Sequence, residues 1–183
     1  KISDCCNIFP FLIVLWVKGG MVMTVFIKGK DAFSFAFKQF TDTVYRIALH
    51  NTSNFSDAED VTQEVFIRLL ETNKAFRDSE HIKAWLIRVT INLCRDKMKK
   101  TSRETLVDNV LPLKTNEEKP DVLEAVKALS ENYRNTIYLH YYEGYTAKEI
   151  GKILGAKEST VLSWLSRGRD ALRKELDGGF DDE

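Results

Sequence analysis

Between Lys148 and Lys174, seven basic residues (Lys148, Lys152, Lys157, Arg167, Arg169, Arg173 and Lys174) stand against three acids (Glu149, Glu158 and Asp170), a local net of +4. Ser159, Thr160 and Ser163 sit among them. Cations interleaved with small hydroxyls hold phosphates and reach base edges; they are equipped for binding, not for breaking bonds. Such groups must be carried on a rigid element, and their neighbours supply one. Thr146 is a good N-cap, and Glu149 three residues on completes a capping box. Ile150, Ile153 and Leu154 then give an apolar stripe at helical spacing. Gly155 stands where the chain must turn, in a left-handed conformation that costs glycine nothing. Ser159 or Thr160 is expected to cap a second helix whose buried face is Val161, Leu165 and Leu172. Gly151 costs its helix about 1 kcal/mol relative to alanine, which is understandable if the second helix crosses closely over it. Two helices, a tight turn and a basic outer face predict a helix-turn-helix that lies on DNA.

The remaining residues offer no competing chemistry. His50, His81 and His140 have no ligand spacing between them. Of three cysteines, Cys5 and Cys6 are adjacent, which suits neither a disulfide framework nor a zinc site. Cys94 is expected to be a small buried hydrophobe. There is no Gly-rich phosphate loop, nucleophile elbow or metal-binding helix motif. The chain therefore reads as a non-enzyme that takes no metal, cofactor or small-molecule substrate. Over 183 residues, 27 acids balance 27 bases, so the total charge names no partner. Its distribution does.

Asp31 to Leu49 has Phe33, Phe37, Phe40, Val44, Ile47 and Ala48 at helical spacing and is expected to bury them. A loop follows at Asn51–Asn54. Ser56 or Asp57 then caps a helix to about Glu71, with Val61, Val65, Phe66, Leu69 and Leu70 inward. Its other face sets Asp57, Glu59, Asp60, Glu64 and Glu71 against Arg68, a local net of −4. Part of that charge complements the helix dipole; the rest is either a solvated face or a docking surface. The stretch from Thr72 to Glu80 reads as a loop with Phe76 in it. A third helix is expected from about His81 to Lys100, with Ile82, Trp85, Leu86, Val89, Leu93 and Met98 apolar. Between Arg77 and Arg103 eight bases face three acids, a net of +5. Basic residues interleaved with Trp85 and Asn92 suit single-stranded nucleic acid, where rings stack on bases and cations follow the backbone. Trp85 is otherwise simply core.

The ends and the middle differ. Ile8 to Val17 is an apolar run about half as long as a membrane-spanning helix of ~20 residues. Lys18-Gly19-Gly20 before Met21 and Met23 looks like a translated ribosome-binding site, which makes residues 1–23 a translated leader or a disordered N-terminus. Residues 24–100 form the N-terminal domain, 101–120 an aperiodic linker, 121–177 the C-terminal domain with Val122, Leu123, Val126, Leu129, Ile137, Tyr138 and Tyr141 as core, and 178–183 an acidic tail. The fold expected is all-α: two small helical domains joined by a flexible linker, the C-terminal one containing the helix-turn-helix.

In this order the stretches are similar to an extracytoplasmic-function (ECF) sigma factor of bacterial RNA polymerase. DAEDVTQEVFIRLL (Asp57 to Leu70) resembles the family's core-polymerase-binding helix. Phe76 with HIKAWLIRVTINLCRDKMKK (His81 to Lys100) resembles its minus-ten-element helix. LSENYRNTIYLHYYEGYTAKEIGKILGAKESTVLSWLSRGRDALRKEL (Leu129 to Leu176) resembles its minus-thirty-five reader. The resemblance implies a cytoplasmic initiation factor that binds core RNA polymerase (the β′ clamp and the β subunit), recognises a two-element promoter and assists its melting. Asp57, Asp60, Gln63, Glu64 and Arg68 would dock on the clamp helices. The Lys74–His81 loop, including Phe76, would receive a base flipped from the non-template strand, with Lys83, Arg88, Asn92 and Arg95 holding that strand. Lys157, Ser159, Thr160, Ser163, Arg167, Arg169 and Arg173 would face the duplex. Members are commonly held inactive by an anti-sigma factor, so such a protein joins the implied partners.

Many members carry bases where this chain has Leu162 and Trp164, which alters the base readout; Trp164 packs either on the supporting helix or against sugar and thymine methyls. A stand-alone helix-turn-helix regulator is the alternative, with the N-terminal helices as a dimerisation or sensor module. A recombinase-like enzyme needs a catalytic cluster the sequence lacks, and a membrane-tethered signalling protein rests wholly on Ile8 to Val17.

Overall fold

In the computed structural model, which describes residues 12–17, 20–25, 29–52, 54–104 and 122–177, the periodic stretches of the sequence become helices. They are α1 (Gly29–Asn51), α2 (Phe55–Glu71), α3 (Ser79–Glu104), α4 (Val122–Ala128), α5 (Glu131–Ile137), α6 (Ala147–Leu154) and α7 (Glu158–Asp177). Ahead of them, β1 (Leu12–Val17) and β2 (Gly20–Val25) pair antiparallel, with Leu12 opposite Val25. The all-α expectation therefore holds for the described residues from Gly29 onward, and this ladder is an addition to it. Of residues 1–23, expected to be a translated leader or a disordered N-terminus, 12–17 and 20–23 lie in these strands and the others lie outside the described residues. The expected linker begins as helix, because α3 runs four residues past Lys100. The rest of the linker and the acidic tail lie outside the described residues. The chain divides into two units, Lys1–Lys97 and Met98–Glu183.

In the first unit α1 packs along α2. The centre of the α1 stripe is not its phenylalanines but Ala32, Ala36, Val44, Ile47 and Ala48, all buried. Small side chains let helices approach, and the larger rings are displaced to the flanks. Phe37, expected in the core, is 51% exposed, yet its ring stacks on Phe33 at 5.6 Å and meets the edge of Phe66 at 5.1 Å. Leu70 is likewise outside, 47% exposed. The cap of α2 is Asn54 rather than Ser56 or Asp57. Asn54 Oδ1 accepts the Asp57 N–H at 2.7 Å while its amide donates to Asp57 Oδ2 at 3.0 Å. Val61, Val65, Phe66 and Leu69 turn inward with Phe76, Ile82, Leu86 and Cys94.

In the second unit α7 packs against α4, α5 and α6. Helix α5 continues into a π-helical turn, Tyr138–Tyr142, where the Glu143 N–H donates to Tyr138 O at 3.2 Å, five residues back. The wider turn rotates the following side chains relative to an α-helix. Tyr138 and Leu139 stay buried, whereas Tyr141, expected in the core, is exposed. On α7 the buried line is Val161, Leu165 and Gly168, with Leu172 partly covered.

The helix-turn-helix forms from local signals. Thr146 N–H and Oγ1 both donate to Glu149 Oε2, at 2.9 and 2.7 Å, and the Glu149 N–H returns to Thr146 Oγ1 at 3.4 Å. Gly155 ends α6 at φ +71°. Lys157, not Ser159 or Thr160, occupies the cap of α7, its carbonyl accepting the N–H groups of Thr160 and Val161 at 3.0 and 3.1 Å. The close approach at Gly151 also differs from expectation. A Cβ there would stand 2.6 Å from Ala156 O, so the turn itself, not the crossing helix, demands glycine. The close helix crossing occurs at Gly168, where a Cβ would come 3.1 Å from Ile137 Cγ1.

Hydrogen bonds from Thr146 hold the Glu149 carboxyl below the usual glutamate range. A carboxylate so depressed contributes stability that is complete above its unfolded pKa and lost as pH falls through its folded one. Thr146→Ala should therefore cost the second unit about 1 kcal/mol at neutral pH. The gap between wild type and variant should narrow in acid without closing, because the Glu149 N–H bond to Thr146 Oγ1 does not titrate. Urea titrations at two pH values read both effects, and a gap that does not change with pH would mean that the carboxylate contributes nothing.

Candidate nucleic-acid interface

Three charged surfaces are built on these helices, two in the first unit and one in the second. On α2, the inward line of Val61, Val65 and Leu69 leaves Asp60, Gln63 and Arg68 exposed and Asp57 and Glu64 half-exposed. Arg68 Nε donates to Glu64 Oε1 at 2.8 Å, one turn away. Asp57 and Asp60 are both held by Lys97 of α3, whose Nζ lies 2.5 Å from Asp57 Oδ1 and 3.0 Å from Asp60 Oδ2. Burial works against the Lys97 charge, but its hydrogen bonds to the two aspartates outweigh that and raise its pKa. The acidic surface is thus partly compensated and geometrically fixed. Ile67 and Leu70, both about half exposed, make the face mixed rather than purely acidic. Sequence reasoning missed Lys97, since its pairing with Asp60 spans 37 residues and no local spacing signals it.

The second surface surrounds the start of α3. Phe76 is 0% exposed and among the largest fully buried side chains. Its ring meets Trp85 at 5.6 Å and His81 at 5.4 Å, both edge-on. Phe76, expected to contact the minus-ten strand, is thus buried beneath its loop, where its ring contacts anchor the loop from below. Asp78 Oδ1 accepts the His81 N–H at 2.7 Å, and the Arg77 N–H donates to His81 Nδ1 at 3.3 Å. Burial, together with the Lys74 and Arg77 cations, outweighs Asp78 and lowers the His81 pKa, in keeping with a ring nitrogen that accepts. Beyond the loop, Arg88, Asn92 and Arg95 recur at i, i+4 and i+7 and share one side of α3. Half-buried Trp85 borders them. Lys83 does not join this set; its register places it on the far side of the helix, half-buried.

The third surface is the outside of α7. Lys157, Ser159, Ser163, Arg167, Arg169 and Arg173 are exposed and Thr160 is half-buried. Ser159, Ser163 and Arg167 follow one edge, while Arg169 and Arg173 follow another. Arg169 Nη1 donates to the Tyr141 hydroxyl at 3.4 Å, so the exposed tyrosine steers the guanidinium. Leu162 is exposed and Trp164 half-buried. Among the described residues, no cluster of histidine, cysteine and carboxylate side chains is arranged to hold a metal, and no helix is long and apolar enough to cross a membrane.

Comparison with known proteins aligns these surfaces with two family models. Residues 36–104 match sigma-70 region 2, and residues 120–172 match sigma-70 region 4. Together they take in well over half the chain. The ECF RNA polymerase sigma factor SigW of Bacillus subtilis is 29% identical over 168 residues, covering 80% of this chain and 90% of SigW. SigE of Mycolicibacterium smegmatis, also an ECF RNA polymerase sigma factor, is 33% identical over 153 residues, covering 76% of this chain and 59% of its own length. Among solved structures, the sigma factor RpoE from Bartonella quintana, crystallised with the anti-sigma factor NepR, matches with TM-score 0.66 at 22% identity, over 82% of this chain and 98% of RpoE. CnrH, solved with the cytosolic domain of CnrY, matches with TM-score 0.59 at 21% identity, over 80% and 88% of the two chains. These two likenesses concern the fold alone.

Proposed function

The chain belongs to the extracytoplasmic-function sigma factors, and we propose that it acts by binding core RNA polymerase, directing it to a two-element promoter and trapping melted strand. One observation carries the reading: the stretch matched to region 2 holds both the acidic α2 face and the basic α3 face, while the stretch matched to region 4 holds the helix-turn-helix. A stand-alone regulator would use only the last of these.

In this reading Asp60, Gln63, Glu64 and Arg68 dock on the clamp of the β′ subunit. Asp57 and Asp60 reach it with Lys97 at their side, so the contact is less acidic than the sequence suggests, and Ile67 adds apolar area. The Lys74–His81 loop, anchored from below by Phe76, receives a flipped base, and Arg88, Asn92 and Arg95 hold the adjoining strand. Extruding a base costs a few kcal/mol, which contacts in the receiving pocket offset. Lys157, Ser159, Thr160, Ser163, Arg167, Arg169 and Arg173 meet the minus-thirty-five duplex, with the hydroxyls near base edges and the arginines on phosphates. The factor performs no covalent chemistry itself. An anti-sigma factor is a proposed partner, by likeness to RpoE, whose crystal contains one.

Glu64→Lys tests the docking arm. The side chain is half-exposed and its pair with Arg68 lies on the helix surface, so the variant should lose only a few tenths of a kcal/mol of stability. Affinity for core polymerase, measured by fluorescence titration, should nevertheless fall at least tenfold, because a cation replaces an anion in the contact. Unchanged affinity would move the interface off α2.

A further inference from the structure

Among the described residues of α7, Leu162 is the large apolar side chain left most open, at 54% exposed. It lies one residue past the buried Val161, on the flank turned away from the core. Helical spacing puts Ser159 one turn before it, Ser166 one turn after and Arg169 two turns after, all exposed. The hydroxyls on either side are short, so a surface approaching this face meets the leucine first. Farther along the same face come Arg169, steered by Tyr141 at 3.4 Å, and Arg173. An apolar tip near the helix start, with cations behind it, matches a groove whose walls are phosphate and whose floor presents one apolar group. In the major groove that group is the 5-methyl of thymine; no other base edge carries one. Trp164 is a weaker candidate, since it is already half-buried within the protein.

We propose that Leu162 selects a thymine in the minus-thirty-five duplex by packing on its 5-methyl group. The inference rests on the promoter-binding role argued above and adds to it the residue that sets one base of the site. Ser159 and Ser166 frame the contact, and Arg169 and Arg173 hold the flanking phosphate that sets its depth.

The experiment uses the full chain with core RNA polymerase and a pool of promoters randomised over the minus-thirty-five segment. Deoxyuridine then replaces each thymine of the selected duplex in turn, which removes the methyl and nothing else. Wild type should lose about fourfold in affinity at one position, what a single buried methyl is worth. Leu162→Ala should bind more weakly and be indifferent to deoxyuridine at that position. Leu162→Arg should change the preference there from thymine to guanine. Both substitutions are on the surface, and unchanged thermal melting confirms that the fold is kept. An equal deoxyuridine penalty in wild type and Leu162→Ala, or a selected site without thymine, overturns the proposal while leaving promoter recognition standing. Absence of any core-dependent selection by the wild-type chain overturns both.

Discussion

Phe76→Ala is expected to destabilise the first unit by about 3–5 kcal/mol, the range for removing a fully buried phenyl ring whose cavity cannot collapse. Phe76 is 0% exposed and carries the ring contacts to His81 and Trp85. It also ties a loop, otherwise polar, to the buried cluster that α1, α2 and α3 share. Domains of this size are held by only about 5–15 kcal/mol in all, so most of the margin would go. Urea denaturation followed by tryptophan fluorescence reads the change through Trp85 once Trp16 and Trp164 are replaced by phenylalanine in both proteins. Phe76→Leu, which fills most of the cavity, should recover more than half of it. Phe76→Ala with near wild-type stability would put the ring outside the core and reopen a direct contact with DNA.

Gly151→Ala should destabilise the second unit, against the rule that alanine improves a helix. Propensity alone favours the variant by about 1 kcal/mol. The added Cβ, however, would stand 2.6 Å from Ala156 O, a backbone atom that cannot rotate away. The same turn is fixed by the Ala156 N–H donating to Gly151 O at 2.9 Å. Relief therefore requires the turn to open, and overpacking of this kind costs about 1–3 kcal/mol. The two terms leave a net loss of up to ~2 kcal/mol. Function should suffer more than stability, because α7 is aimed by this turn. Duplex affinity of the variant, compared with its melting curve, separates the two effects. A stabilised variant with normal duplex affinity would show that the turn has room the geometry denies it.

The parts of the molecule that could be read from the chain are those whose causes are local. The Thr146–Glu149 box and the left-handed Gly155 are each complete within a few residues, and both formed as expected. The inward lines of α2 and α7 follow from spacing alone. What failed depended mostly on distant partners, although the caps of α2 and α7 are local and still fell at Asn54 and Lys157 rather than at the residues expected. Phe76 stands alone in a polar stretch, so its burial is set by helices the periodicity cannot place around it. Phe37 and Leu70 belong to apolar stripes wider than the surface their neighbours cover. Tyr141 was displaced by a π turn that leaves no mark in residue types. Lys83 looked equivalent to Arg88 by charge, but its register puts it on another face. The β1–β2 ladder arises from a continuous apolar run, which lacks the alternation that announces a half-buried strand. The outward faces were legible as charge, and their meaning came from the order in which they occur.

In the function proposed above, one chain engages polymerase and promoter through both of its units. Run-off transcription with purified core RNA polymerase, the full-length protein and a template bearing its own upstream region tests that directly. Initiation at a single start site that depends on both core and this chain, and that is lost with Glu64→Lys, is the result predicted. Tight duplex binding without polymerase, together with no core-dependent transcript, would contradict the claim and leave a stand-alone regulator in its place.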